Sequence, residues 1–323
     1  MKVSKWIGLL SFLSLFGLAC ESEDPKKKQA LPPLPKVDIP VFSGDTAFAK
    51  VERQVAFGPR VPNSNGHLQC ANWLKAQLAS YGAKVQIQPT RVEAYDGTLL
   101  TIQNIIASYQ PEKSRRIMLS AHWDTRPIAD EDSDPERQND PILGANDAGS
   151  GVAVLLELAR VMNEKAPSVG VDLFLWDGED YGSPSVDGSY CLGSQFWARN
   201  KLPANYQPLF GINLDMVGGK GAFFGREAYS MQFASDVVSK VWQAGKQAGY
   251  AAYFKDLRSA PVVDDHLYIN QLAGIRMINI IDQPNGKGFF GGWHTHQDNM
   301  EAIDAATLQA VGQTMLEVIY REK

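Results

Sequence analysis

Cysteine is scarce in this chain: there are three in 323 residues, Cys20, Cys70 and Cys191. A zinc–thiolate site needs more, so any metal in the body of the protein must be held by Asp, Glu and His. Spacing does not decide whether Cys70 and Cys191 form a disulfide or remain two buried thiols. Dense Lys/Arg blocks are missing from the body. With 31 Lys and Arg against 36 Asp and Glu the net charge is −5, which argues against nucleic acid as a partner. The longest apolar run of the N-terminal region, 6–19, is too short for a comfortable membrane span. No internal repeat is present. What remains is 44% hydrophobic and 21% charged, a composition that supports a large packed core.

The first residues read as an export signal. Lys2 and Lys5 precede the apolar run, which closes at Gly17-Leu18-Ala19-Cys20. That tetrapeptide resembles a bacterial lipoprotein box with its usual leucine displaced by one position. Residues 1–19 are therefore expected to be a lipoprotein signal peptide, with Cys20 the lipidated first residue of the mature protein. Residues 20–40 are charged and Pro-rich, including Leu31-Pro32-Pro33-Leu34-Pro35, and are expected to form a disordered tether. Residues 41–323 are left as the catalytic domain. The expected location is the bacterial cell envelope, with a lipid anchor as the sole membrane attachment.

Along the body, strand-like and helical patterns alternate. Short apolar runs at 116–121, 171–176, 209–217 and 275–281 suit strands covered on both faces. Amphipathic patterns predict helices over 66–81 (Leu68, Trp73, Leu74, Leu78), 147–165, 232–249 and 307–321, the last capped by Asp304. The alternation argues for an α/β protein of three layers. His122, Glu179, Asp180 and Asp215 all follow apolar runs. Ligands of open α/β sheets lie outside the carboxyl ends of the strands, so these distant residues have a place to converge.

The chemistry they carry is that of a metal site. Asp147 sits in Gly144-Ala145-Asn146-Asp147-Ala148-Gly149, where small residues allow close backbone approach; a helix N-cap is its ordinary alternative. Glu179-Asp180 closes a buried strand, and adjacent acids there are costly unless paired or coordinated. One carboxylate holding a metal while its neighbour moves protons accounts for both. His294, beside Trp293, supplies an imidazole. His122 is open between second-metal ligand and scaffold, and Asp215 between second-metal ligand and partner of the catalytic acid. Asp265 is a further carboxylate without a local cation. His67 reads as surface at a helix start.

Taken together, Ser120-Ala121-His122-Trp123-Asp124, Gly144-Ala145-Asn146-Asp147, Asp177-Gly178-Glu179-Asp180, Gly211-Ile212-Asn213-Leu214-Asp215, Asp264-Asp265-His266 and Trp293-His294-Thr295 resemble the zinc-dependent exopeptidase superfamily of the M28 type. Within it they resemble the glutaminyl-peptide cyclotransferases. The resemblance implies an α/β/α sandwich around a central mixed, mostly parallel sheet. It implies one Zn2+ per chain on Asp147, Asp180 and His294, with Glu179 as general base and acid, Asp215 and Asp265 as its hydrogen-bonded helpers, and Trp293 as a pocket wall. The reaction it implies closes the N-terminal Gln of peptides or proteins to pyroglutamate and releases ammonia. The chain departs from the animal enzymes in having Asp180 where they have Glu, Asn279 where they have a pocket histidine, and no tryptophan over 181–190. The alternative is a two-zinc aminopeptidase, with His122 and Asp215 joining a bridging Asp147 and Glu179 activating water.

Overall fold

The computed structural model describes residues 37–286 and 288–323. The expected signal segment, Cys20 and most of the expected tether lie outside the described residues. Val37 and Ile39 already touch the core, and Val37 lies four residues before the expected domain start. Gln313 fixes this entry by donating to the Pro40 carbonyl at 3.1 Å and accepting from the Phe42 amide at 2.9 Å.

Helices α1 (Gly44–Val55) and α2 (Asn65–Ser80) lead into a hairpin of β1 (Lys84–Glu93) and β2 (Leu99–Tyr109). Then follow β3 (Arg116–His122), α3 (Gly149–Glu164), β4 (Gly170–Trp176), α4 (Leu192–Arg199) and β5 (Gly211–Asp215). The chain closes with β6 (Phe224–Glu227), α5 (Ala228–Gln247), β7 (Phe254–Ser259), α6 (Asp265–Tyr268), β8 (Met277–Ile281) and α7 (Ala305–Arg321). One six-stranded sheet runs in the order β1-β2-β4-β3-β5-β8; β4, β3, β5 and β8 are mutually parallel, and β1 and β2 are antiparallel. Strands β6 and β7 pair separately.

Alternation along the central strands makes the three layers. On β4, Val171, Leu173 and Leu175 face a cluster that includes residues of α1, α2, α3, α5 and α7, whereas Phe174 and Trp176 face another with Trp197 of α4 and Tyr206. The α3 contact is close: a Cβ on Gly151 would meet the Leu214 carbonyl at 2.3 Å, so only glycine lets the helix lie on β5 there. The expected mixed α/β/α sandwich is the fold observed.

Differences from expectation have local causes. Helix α5 starts at Ala228, four residues early, because Glu227 caps it by accepting from the Tyr229 and Ser230 amides. In α2, Leu68 is 53% exposed; the buried face is His67, Cys70, Ala71, Leu74 and Leu78, with small residues allowing close packing. Among the described residues no helix is long and apolar enough to cross a membrane.

Candidate active site

The four parallel strands end along one edge, with His122 closing β3 and Asp215 closing β5. Loops from that edge bring one carboxylate oxygen each of Asp147 and Asp180 and a ring nitrogen of His294 within 4.8 Å of one another, all three residues buried. These are the three ligands expected from the sequence. Helix α3 is capped at Ala148 without a side-chain bond, so the Asp147 carboxylate serves the cluster and not the cap. A second group, His122, Asp147 and Asp215, meets the same distance condition and shares Asp147. His122 Nε2 lies 2.9 Å from Asp147 and 3.4 Å from Asp215.

Buried and half-buried partners hold each of the three expected ligands. Asp298 accepts from the amides of Asn146 (2.7 Å) and Asp147 (3.0 Å). Asp124 accepts from the amides of Glu179 and Asp180, both at 3.1 Å. Arg126 grips Asp130 with two bonds of 2.8 and 2.7 Å and donates to the Asp180 carbonyl at 3.0 Å. Asp130 lies 3.1 Å from His294 Nδ1, which leaves Nε2 facing Asp180 at 3.2 Å. His294 has φ of 55°, a strained backbone for histidine, and stacks on Trp293 at 3.6 Å between ring centroids. Such carboxylate–histidine pairs fix ring orientation at metal sites. Arg126, Asp130 and Asp298 carry no motif of their own; their value is visible only once the loops meet.

Glu179 is held differently. Its backbone carbonyl accepts from the Cys191 amide at 2.8 Å. The one hydrogen bond its carboxylate accepts among the described residues comes from the Cys191 thiol, at 3.1 Å to Oε1. Burial raises its proton affinity well above the usual range; His122 offsets this in part, and Asp180, Asp264 and Asp265 add to it. Burial and then Asp147 likewise push Asp215 up to about 7. Burial would lower the His294 imidazole, but Asp180 and Asp130 overcome it and hold it at about 9. Asp180 Oδ2 is buried with no hydrogen-bond partner. An oxygen left bare within a ring of two carboxylates and an imidazole is what a divalent cation satisfies, and the donor set is one that zinc accepts.

Several expectations need correction. Neither Asp215 nor Asp265 hydrogen-bonds Glu179: Asp215 turns to His122, and Asp265 accepts from Ser194 Oγ at 2.5 Å. The carboxylate beside Glu179 is Asp264, grouped with it and Cys191 within 4.8 Å. Asn279 is fully buried and does not line the pocket. It donates to Asp264 at 2.5 Å, alongside Asn213 at 3.1 Å, and so reaches the site through that carboxylate. His67 is not surface; it bonds Asp177 at 2.8 Å and stacks on Trp123. Both body cysteines are free, and burial raises the Cys70 thiol to about 12.

The site opens into a cavity of about 520 Å3, walled in part by Trp293, Phe289 and Tyr190. Phe289 packs on Trp293 at 4.5 Å, which supplies an aromatic wall without the tryptophan missing from 181–190.

Residues 104–319 match the model of peptidase family M28. Among solved structures, the glutaminyl cyclase of Bacteroides thetaiotaomicron bound to N-acetylhistamine is 51% identical, with a TM-score of 0.86 over 88% of this chain and 100% of that one. The glutaminyl cyclase of Tannerella forsythia is 49% identical, with a TM-score of 0.86 over 88% of this chain and 100% of that one. A protein described as a leucine aminopeptidase precursor, also from Bacteroides thetaiotaomicron, is 51% identical, with a TM-score of 0.86 over 89% of this chain and 100% of that one. The chain belongs to peptidase family M28, on the branch that holds the bacterial glutaminyl cyclases.

Proposed function

We propose that this enzyme closes the N-terminal glutamine of peptides or proteins to pyroglutamate and releases ammonia, with one zinc per chain. The observation that carries the reading is the division within the acidic pair. Asp180 turns into the ring with Asp147 and His294, while Glu179 lines the cavity with a thiol as its hydrogen-bond donor.

Asp147, Asp180 and His294 would hold the zinc. Zinc bound there supplies Lewis acidity to the side-chain amide carbonyl of the substrate. Glu179 takes a proton from the substrate's α-amine as the amine nitrogen bonds to the amide carbon. The same carboxyl group then delivers a proton to the departing amide nitrogen, so one C–N bond forms, one breaks, and ammonia leaves. No water is consumed. Because nucleophile and electrophile belong to one substrate, orientation does much of the work, and no second ion is needed to make a hydroxide. The Trp293–Phe289 wall excludes solvent from the reacting atoms. Asp264, fixed by Asn213 and Asn279, keeps negative charge near Glu179 and so favours its protonated form between the two transfers.

A two-zinc aminopeptidase is the second reading, favoured by the convergence of His122, Asp147 and Asp215. Ammonia release from Gln-Ala-type peptides, measured beside hydrolysis of amino-acid anilides with zinc counted in the same sample, separates the two. One zinc with ammonia release supports the cyclase; two tightly held zincs with anilide hydrolysis support the peptidase.

We also propose that 1–19 are removed on export, that Cys20 is lipidated and that 20–40 tether the catalytic domain to a bacterial envelope membrane. Cys20→Ser should move the protein from the detergent phase to the aqueous phase; partition that does not change refutes the anchor.

A further inference from the structure

The cavity is larger than the proposed reaction needs for one glutamine: about 520 Å3 lies in the range of roughly 300–1,000 Å3 that holds ligands of several groups. Its inner end carries the acidic site. Its mouth is different. Val186 and Val263 line it while 43% and 52% exposed, and Leu267 and Phe289 add further apolar lining. Exposed apolar rims on a cavity mark contact surfaces.

Among these apolar groups stands Asp187, exposed and lining the cavity. It has no hydrogen bond or ion pair among the described residues. Among the described residues neither Lys nor Arg lines the cavity, so none of them answers it there. The loop that carries it is fastened. Ser189 Oγ donates to the Ser183 carbonyl and accepts from the Ser183 amide, both at 2.9 Å. Gln195 holds the next stretch through the Gly188 and Tyr190 carbonyls at 2.9 and 2.7 Å. Tyr268 links the two ends: burial raises its phenol to about 12, and Cys191, Glu179 and Asp187 all add to that rise. The Asp187 carboxylate is therefore within electrostatic reach of Tyr268, which lines the same cavity.

We infer that the cavity mouth is a subsite for the residue following the N-terminal glutamine, and that Asp187 with Val186 and Val263 selects a long, apolar-stemmed, positively charged side chain there, lysine or arginine. Such side chains lay their methylenes along apolar surface while the charged head meets an acid. An acidic residue at that position meets like charge. The inference rests on the proposed cyclisation for its choice of peptide, and on the cavity alone for the charge preference.

The test compares kcat/KM for Gln-Lys, Gln-norleucine and Gln-Glu peptide amides, in the zinc-loaded enzyme and in Asp187→Asn and Asp187→Lys. An exposed ion pair predicts about three- to fivefold preference for lysine over its uncharged analogue norleucine, shrinking as salt is raised. In Asp187→Asn that ratio should fall to about one. In Asp187→Lys the Gln-Glu peptide should overtake Gln-Lys. A lysine-to-norleucine ratio that is near one in the native enzyme, or unchanged in Asp187→Asn, overturns the subsite. If no Gln-peptide is cyclised, the reaction assignment fails while the subsite is still read: calorimetric binding of the same amides must then show the same order, and equal affinities refute it.

Discussion

Glu179 and Asp180 are neighbours in the chain with opposite surroundings. The Asp180 side is locked: Arg126, Asp130, Asp124 and Asp298 fix the loops of Asp147, Asp180 and His294 through at least five bonds of 3.1 Å or less. The Glu179 backbone is fastened too, to Asp124 and Cys191, but its carboxylate is sparsely held, with one thiol donor and the Asp264 carboxylate close by. A metal ligand gains from being held in place, because preorganised oxygens lose little freedom on binding. A proton carrier needs the reverse. Strong donors would pin the carboxylate as an anion, while burial and like charge make its protonated form accessible. The contrast within one dipeptide separates the two jobs.

The contrast breaks most completely at His294. Replacement by alanine leaves two protein ligands, so zinc should be lost on dialysis and ammonia release with it; elemental analysis that still finds one zinc per chain contradicts the assignment. Next comes Asp130→Ala, which frees the His294 ring. Zinc affinity should fall about 10- to 100-fold, read by competition with a chelator, with activity restored at high zinc.

The opposite side is sharpened by stability. Glu227 caps α5 and also accepts from the Val262 amide, at 3.1 Å, and from His266, so it braces the segment that bears Asp264. Burial pushes its carboxyl up, but the His266 and Ser230 contacts pull it from 4.5 down to about 2. Its folded value lies below its unfolded one, so its contribution is full above about pH 4.5 and is lost as pH falls from there toward 2. A displacement of that size is worth about 3 kcal/mol. Denaturant unfolding should show Glu227→Gln less stable than the native enzyme by that order at neutral pH, with the gap closing in acid; a gap independent of pH refutes the linkage. The smallest effect is expected at Cys191. Its alanine variant removes a weak donor, and kcat should change about two- to tenfold with zinc content constant, while Cys191→Ser restores it. A variant that loses zinc would show that Cys191 acts on the fold and not on Glu179.

What was legible in the sequence follows from the same contrast. Position after an apolar run marks His122, Glu179, Asp180 and Asp215 in the sequence, and alternating periodicities give three α/β layers, whereas the ligand set Asp147, Asp180 and His294 follows from the resemblance of their motifs to a known family. Arg126 and Asp130 pair four residues apart, but what they position, Asp180 and His294, lies far along the chain, and the Asp298 carboxylate bonds only the distant backbone amides of Asn146 and Asp147. His67 reads as surface in the sequence because its partner, Asp177, lies just past the end of β4, far along the chain. Asn279 was placed in the pocket by likeness to a histidine of related enzymes. The local network instead has it donate to Asp264 and accept from the Asn213 side-chain amide at 3.3 Å, so both ends of a buried amide are satisfied.

Glu179→Gln separates proton transfer from metal binding, with zinc counted and ammonia release from a Gln-peptide followed in one sample. If Glu179 carries the proton, the variant keeps one zinc per chain and its kcat falls about 100- to 10,000-fold. A variant that keeps both its zinc and near-native ammonia release would contradict that role.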